Sequence, residues 1–248
     1  MDKITKKITN WIKEKVKEAN AKGVVVGLSG GIDSSLVATL CKKAFPKDTL
    51  GIIMPCISNP EDMKHAKLVA KKFNISTKTI DLGESFKVLY SSLENKPFVK
   101  EDSKRTFIAN IKPRLRMTTL YYFANKLNYL VVGTDNKTES MLGYFTKYGD
   151  GGVDLLPISN LYKKDVRELA RYLKLPQEII TKKPSAGLWN GQTDEGEIGV
   201  SYEEMDEILT RIEKNEILLN IHKDKVKKIK EMMATSEHKR NMPKVCEL

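Results

Sequence analysis

Ser29-Gly30-Gly31-Ile32-Asp33-Ser34-Ser35 gathers paired glycines, hydroxyls and a carboxylate into one short stretch. Paired glycines let backbone N–H groups come close to a ligand. A helical pattern follows at once in Leu36, Val37, Leu40, Cys41, Ala44 and Phe45, so the loop also faces the positive end of a helix dipole. Both features favour an anion, and phosphate is the usual one. No lysine follows the glycines, so this is not a Walker A loop. The glycines are adjacent rather than spaced G-x-G-x-x-G, so it is not a dinucleotide fingerprint either. The plainer alternative is a Gly-Gly turn with Asp33 as a helix-start carboxylate.

Gly133-Thr134-Asp135-Asn136-Lys137-Thr138-Glu139 repeats the same strand–loop–helix logic. Asn136 and Glu139 fit an N-x-x-E capping box. The chemical reading instead sets Glu139 beside Asp33 on Mg²⁺, which takes one or two carboxylates together with phosphate oxygens and water. Those carboxylates must come from different βα loops, as these two do.

These loops need a scaffold. Val24-Val25-Val26 before the first and Tyr129-Leu130-Val131-Val132-Gly133 before the second read as buried strands. Leu50 to Met54 and Thr77 to Leu82 read as two more. An amphipathic helix is expected from Lys3 to Ala21, where Ile4, Ile8, Trp11, Ile12, Val16 and Ala19 recur at helical spacing. Others are expected from Pro60, over Glu84 to Leu93, and over Thr106 to Leu127 with a break or kink at Pro113. Thr134 to Leu142, Lys164 to Leu173, Tyr202 to Arg211 and Asp224 to Met233 complete the helices. Strands alternating with helices give an α/β fold, a doubly wound and mostly parallel sheet with flanking helices. In such a sheet ligands sit at the carboxyl ends of strands, near the point where strand order reverses. One domain over 1–248 is the simplest division, as no linker, repeat or low-complexity tract interrupts the pattern. From Thr181 to Gly199 hydrophobic periodicity disappears, and that stretch is expected to be a lid, disordered without ligand.

Ser29-Gly30-Gly31-Ile32-Asp33-Ser34 resembles the SGGxDS loop of the ATP pyrophosphatases, which share the adenine nucleotide alpha hydrolase-like fold. In that superfamily the loop holds the pyrophosphate end of ATP, and AMP is transferred. Gly143-Tyr144-Phe145-Thr146-Lys147-Tyr148-Gly149-Asp150-Gly151-Gly152-Val153-Asp154-Leu155-Leu156-Pro157 resembles the signature of one branch, the ammonia-dependent NAD synthetases. The likeness extends through Asn110 to Met117, Lys163, Lys183-Pro184-Ser185-Ala186, Gln192 to Gly199, Ser201 to Glu204 and Glu237-His238-Lys239-Arg240. Two departures stand out. Pro113 lies in the segment that carries Arg114, and Ser185 stands where the family commonly has threonine.

The resemblance implies a ligase that amidates nicotinic acid adenine dinucleotide (deamido-NAD) with ammonia, giving NAD, AMP and pyrophosphate through an acyl-adenylate. ATP and Mg²⁺ are the implied cofactors. It implies ATP contacts at Gly27, Leu28, Ser29, Gly30, Gly31, Ile32, Asp33, Ser34, Thr134, Lys163 and Ser185, with Asp33 and Glu139 on Mg²⁺. Arg114, Lys147, Asp154, His238 and Lys239 are the implied contacts to the acid dinucleotide, and Asp150 guides or deprotonates ammonium. Asp33, Asp150 and Lys163 then carry the catalysis. The family is homodimeric with a site shared between subunits. The aromatic turn Tyr121-Tyr122-Phe123 agrees with a covered helix face.

Composition limits the alternatives. Among 248 residues, 40% are hydrophobic and 30% charged, enough for a packed core and without an apolar run of membrane-spanning length. The start of the chain lacks the apolar core of a signal peptide. Cys41, Cys56 and Cys246 are few and far apart, as in a cytoplasmic protein with reduced thiols. The net charge of +11 is mostly scattered lysine, a solvated surface rather than a nucleic-acid footprint. His65, His222 and His238 are scattered and make no metal site. A tRNA-modifying ATP pyrophosphatase would need arginine- or aromatic-rich contacts or catalytic cysteines that the chain does not display. A nucleotide-binding regulator would not need the Asp33 and Glu139 pair. Nothing before Trp11 or after Glu247 has room for a glutaminase, so free ammonia is the expected nitrogen source.

Overall fold

The computed structural model describes residues 1–189, 191–217 and 221–247. In chain order the elements are α1 (Asp2–Glu18), β1 (Gly23–Gly27), α2 (Ile32–Ala44), β2 (Thr49–Ile53), α3 (Pro60–Lys72), β3 (Ser76–Thr79) and α4 (Gly83–Glu94). After a 3₁₀ turn (Lys100–Lys104) come α5 (Thr106–Ala109), α6 (Ile111–Leu127), β4 (Tyr129–Val132), α7 (Lys137–Leu142), α8 (Lys163–Tyr172) and α9 (Gln177–Thr181). The last are α10 (Asp194–Ile198), α11 (Tyr202–Glu213), α12 (Lys223–Thr235) and α13 (Glu237–Arg240).

The strands form one parallel sheet in the order β3-β2-β1-β4, with Val24 in register with Thr49 on one side and Leu130 on the other. The chain steps outward from β1 to β3, then returns to the opposite side of β1 for β4. Strand order therefore reverses between β1 and β4, and the loops leaving those strands carry the two sequence motifs. Both faces are covered, as the doubly wound expectation requires. Val24 and Val26 pack with Ile12 and Val16 of α1, Leu36 and Leu40 of α2 and Val166 and Leu169 of α8. Val25 points the other way, to Phe86 and Tyr90 of α4 and Leu120 and Phe123 of α6. A third cluster joins Leu142 of α7 to Tyr202, Met205, Ile208 and Leu209 of α11 and Ile229 of α12.

Three local expectations are corrected. The strand expected over Thr77 to Leu82 covers Ser76–Thr79, all exposed at the sheet edge, while Leu82 turns inward to precede α4. Polar Ser, Thr and Lys suit an edge that has one neighbour. The break expected at Pro113 falls at Asn110, between α5 and α6. Pro113 sits in the first turn of α6, where its missing N–H has no intrahelical partner to lose. The helix expected from Thr134 starts at Lys137, because Asn136 caps it. Within the expected lid, α10 is helical from Asp194 and capped by Thr193; Asn190, which falls in that stretch, lies outside the described residues. No helix among the described residues is long and apolar enough to cross a membrane.

Candidate active site

The glycine loop is shaped by its own hydroxyls. Ser29 and Ser34 bring their Oγ atoms within 2.8 Å, Gly31 N–H donates to Ser29 Oγ, and Ser35 Oγ donates to Gly31 O at 2.7 Å. Gly31 caps α2, so the helix N-terminus opens onto the loop. Gly30 has φ +79°, and a Cβ there would lie 2.3 Å from the Asp62 carbonyl oxygen on α3. Only glycine fits that conformation in that space. Leu28 and Ile32 are buried in the core, so their side chains are anchors and only their backbone can meet a ligand. Gly27 ends β1 against Met54 and Leu120.

The second loop supplies the acid. Asn136 Oδ1 accepts from Glu139 N at 3.0 Å, and Glu139 Oε2 accepts from Asn136 N at 3.1 Å. The capping box is therefore real, and it leaves Glu139 Oε1 free to face Lys163. Lys163 opens α8 and is 1% exposed. Its Nζ lies 2.6 Å from Asp33 Oδ2 and 3.1 Å from Glu139 Oε1. Asn136 Nδ2 donates to Asp33 Oδ1 at 2.9 Å. Tyr202 Oη stands 2.9 Å from Asp194 Oδ2 and 3.2 Å from Glu139 Oε1, and its ring lies under Lys163 Nζ.

Burial and like charge set the electrostatics. Burial pushes Glu139 up to about 7, against the pull of Lys163. Asp135 is raised well above the carboxylate range by burial and then by Asp150, Glu139 and Asp33. Burial also raises Asp150 and Asp194. Burial works to lower Lys163, but Asp33 and Glu139 outweigh it and hold the ammonium above the ordinary lysine range. Carboxylates thus outnumber the one ammonium they share. Asp33 and Glu139 are the carboxylates here that could offer oxygens to a hard divalent cation. Among the described residues no group of three or more His, Cys, Asp or Glu is placed to hold a metal ion by itself. Mg²⁺ does not require one, since phosphate and water fill its remaining positions.

The other expected residues fall into distinct groups. Thr134 follows directly on Gly133 at the mouth of β4. Ser185 Oγ accepts from Gly187 N at 3.1 Å. Arg114 reaches the Lys147 carbonyl at 3.4 Å, and Lys147 Nζ donates to the His238 carbonyl, so these three meet at one exposed patch. Lys239 donates to the Gly143 and Phe145 carbonyls at 2.8 and 2.9 Å and so pins the aromatic loop. Asp154 accepts from Val131 N at 2.7 Å and from Tyr121 Oη at 2.9 Å, tying that loop to β4 and α6. Asp150 Oδ1 accepts from Thr146 N at 2.9 Å, which ties the carboxylate to the backbone of the aromatic loop.

Sequence reasoning missed Lys182, whose Nζ bridges Asp62 Oδ1 at 2.6 Å and Gly30 O at 3.3 Å. It also passed over Tyr202, Asp194 and the role of Asn136 at Asp33. Asn136 carried a signal, standing inside the second motif. Lys182 carried none, for one lysine in a basic chain looks solvated.

A parallel sheet with an SGGxDS loop at its reversal, a carboxylate from each flanking loop and a buried lysine between them defines an ATP pyrophosphatase-type enzyme. A sequence profile of the NAD synthase family matches residues 4–243. The chain belongs to that family, whose ligases form a carbon–nitrogen bond. It is 54% identical over 241 residues to the NH(3)-dependent NAD(+) synthetase of Carboxydothermus hydrogenoformans, covering 97% of this chain and 96% of the relative. Two solved structures are similar throughout. One is the NMN synthetase of Francisella tularensis, with TM-score 0.90, 35% identity and coverage of 100% and 98% of the two chains. The other is the NH3-dependent NAD synthetase of Campylobacter jejuni, with TM-score 0.82, 34% identity and 99% coverage of both.

Proposed function

We propose that the chain acts as one unit to amidate nicotinic acid adenine dinucleotide with free ammonia, consuming ATP and releasing AMP and pyrophosphate. The observation that carries this reading is the convergence of Asp33, Glu139 and Lys163 beside the glycine loop. A carboxylate is a poor electrophile. Its oxygen attacks the α-phosphorus of ATP, pyrophosphate leaves, and an acyl-adenylate forms. The loop N–H groups of residues 27–34 and the start of α2 hold the pyrophosphate. Lys163 balances Asp33 and Glu139 and presents its charge to the phosphates. Asp33 and Glu139 would hold Mg²⁺, which would supply charge neutralisation at the leaving group. Thr134 and Ser185 border ATP. Arg114, Lys147 and His238 form a basic patch for the dinucleotide, while Lys239 and Asp154 set the loop that presents it. Asp150 takes the proton that ammonium must lose before ammonia attacks the acyl carbon and AMP departs.

A second acceptor is favoured by one observation. The structural neighbour with TM-score 0.90 is an NMN synthetase. Nicotinic acid mononucleotide carries the same carboxylate, so the same adenylation chemistry applies to it. A coupled assay with each acid separately tests the choice. NAD formed with equimolar AMP and pyrophosphate, at a kcat/KM above that for the mononucleotide, supports the dinucleotide. The reverse order assigns the enzyme to the mononucleotide, and AMP without amide product rejects both.

We further propose a cytoplasmic homodimer with a shared site and no nucleic-acid or membrane partner. Tyr121 is engaged with Asp154 and Phe123 is buried, while Tyr122 of α6 is 59% exposed, and Leu93 of α4 and Phe107 of α5 are exposed as well. A second copy covering this face fits those side chains. Sedimentation showing a monomer at assay concentration would contradict the dimer.

A further inference from the structure

Lys112 and Arg116 lie one turn apart on α6, and the chemistry proposed above uses neither. Lys112 is 1% exposed, yet its ammonium has a single hydrogen-bond partner among the described residues, the Leu188 carbonyl at 2.5 Å. It also stands 5.3 Å from the centre of the Phe86 ring. Among the described residues Arg116 hydrogen-bonds neutral oxygens, Met54 O and Ser58 Oγ, each at 3.3 Å. No carboxylate forms an ion pair with either residue among the described residues. Burial lowers the pKa of both. A buried cation without a counter-charge is costly, and sites that keep one commonly exist for an anionic ligand.

Their position says which ligand. Met54, held by Arg116, follows β2 and lies against Gly27, where the phosphate loop begins. The Leu188 segment that caps Lys112 is tied through Ala186 N to Asp194, and Asp194 is held by the Tyr202 hydroxyl that also faces Glu139. Arg116 is thus one residue removed from the start of the phosphate loop, and Lys112 is linked to the acid pair through the Leu188 segment, Asp194 and Tyr202.

We propose that Lys112 and Arg116 form an oxyanion site for the adenylation step and bind an anionic oxygen at the bond being made. The inference rests on the amidation reading above. In that step a carboxylate oxygen forms a bond to the α-phosphorus while the bond from that phosphorus to the bridging oxygen breaks. Pyrophosphate leaves with the electron pair. Both reactants are anions, so their approach is opposed by their own charge. Lys163 is already paired with Asp33 and Glu139 and would have to surrender a partner to help. Lys112 and Arg116 have only neutral hydrogen-bond partners among the described residues, and Arg116 meets the charges of Asp150 and Asp62 only through space, without an ion pair. The oxygen they bind belongs to the acceptor carboxylate or to the α-phosphate, and the test separates the two.

The experiment compares the wild type with Lys112→Met and Lys112→Arg. Acceptor-dependent ATP–pyrophosphate exchange is measured without ammonia, and ATP affinity by calorimetry without acceptor. Lys112→Met is expected to slow exchange about 100-fold, the scale of one lost transition-state donor, and Lys112→Arg to recover most of it. Unchanged ATP affinity in Lys112→Met assigns the oxygen to the carboxylate, and an equal loss of ATP affinity assigns it to the α-phosphate. Exchange within about threefold of wild type, with ATP affinity unchanged, overturns the proposal and leaves Lys112 as a tie to Leu188. If Lys112→Met fails to fold, Arg116→Gln is read by the same criteria. Absence of exchange in the wild type would instead count against the amidation reading itself.

Discussion

Asn136 Nδ2 donates to Asp33 Oδ1 at 2.9 Å across a separation of 103 residues. One side chain thus caps α7 and orients the carboxylate of the phosphate loop. The two functions separate by substitution. Asn136→Ala should lose the cap, about 1 kcal/mol, together with the orientation of Asp33. Asn136→Ser keeps a capping oxygen without a donor for Asp33. Thermal melts should show most of the stability regained in the serine variant, while kinetics show little activity regained.

Gly30 and Gly31 should respond differently to a methyl group. Gly30 has φ +79° and meets the Asp62 backbone at 2.3 Å, whereas Gly31 is extended with φ −85° and its nearest neighbour is Ser29 Oγ at 3.4 Å. Gly30→Ala should weaken ATP binding by about 100-fold or more, since it displaces the loop from a position that only glycine adopts without strain. Gly31→Ala should retain binding within about tenfold. Calorimetric titration with ATP checks both.

Glu139, raised to about 7, makes stability depend on pH. The folded state holds a proton that the unfolded state has already released, so wild-type stability falls as pH rises from about 4.5 through about 7. Glu139→Gln removes this dependence. Its free energy of unfolding should gain on the wild type's across that window, by on the order of 3 kcal/mol at most, read from denaturant melts at each pH. Mg²⁺ needs the ionised carboxylate, so at limiting Mg²⁺ wild-type kcat/KM should rise through the same window, with the inflection moving lower as Mg²⁺ is increased.

Lys163→Met leaves Asp33 and Glu139 without their cation. Breaking a buried pair from one side costs about 3–5 kcal/mol, and the loss should be larger at pH 8 than at pH 5, where the carboxyls can take up protons. Turnover should fall by about 1,000-fold. Equal destabilisation at both pH values would show that the lysine is not balancing ionised carboxylates.

Asp150→Asn should divide the reaction. If Asp150 handles ammonium, pyrophosphate exchange continues near the wild-type rate while the KM for ammonium rises at least about tenfold. Loss of exchange would place Asp150 in adenylation or in folding of the aromatic loop.

The strand, loop and helix pattern around Asp33 and Glu139 is legible in the sequence because β-branched runs, paired glycines and a capping signature are local features. The same locality explains the errors. Pro113 reads as a helix breaker because its tolerance depends on where the helix starts, and that is set by Asn110. The carboxylate partners of Lys163 could not be read locally either, since Asp33 and Glu139 arrive from two distant loops. Half-buried Lys182 and buried Lys112 are invisible because nothing local separates them from the solvated lysines. Their partners Gly30 and Leu188 lie far away in the chain.

The most direct measurement follows the oxygen. Nicotinic acid adenine dinucleotide labelled with ¹⁸O in its carboxylate is turned over with ATP, Mg²⁺ and ammonium, and the AMP is examined by mass spectrometry. Attack of that carboxylate on the α-phosphorus leaves one labelled oxygen in each AMP when ammonia displaces it. AMP formed without label would contradict an acyl-adenylate, and with it the catalytic roles of Asp33, Glu139 and Lys163.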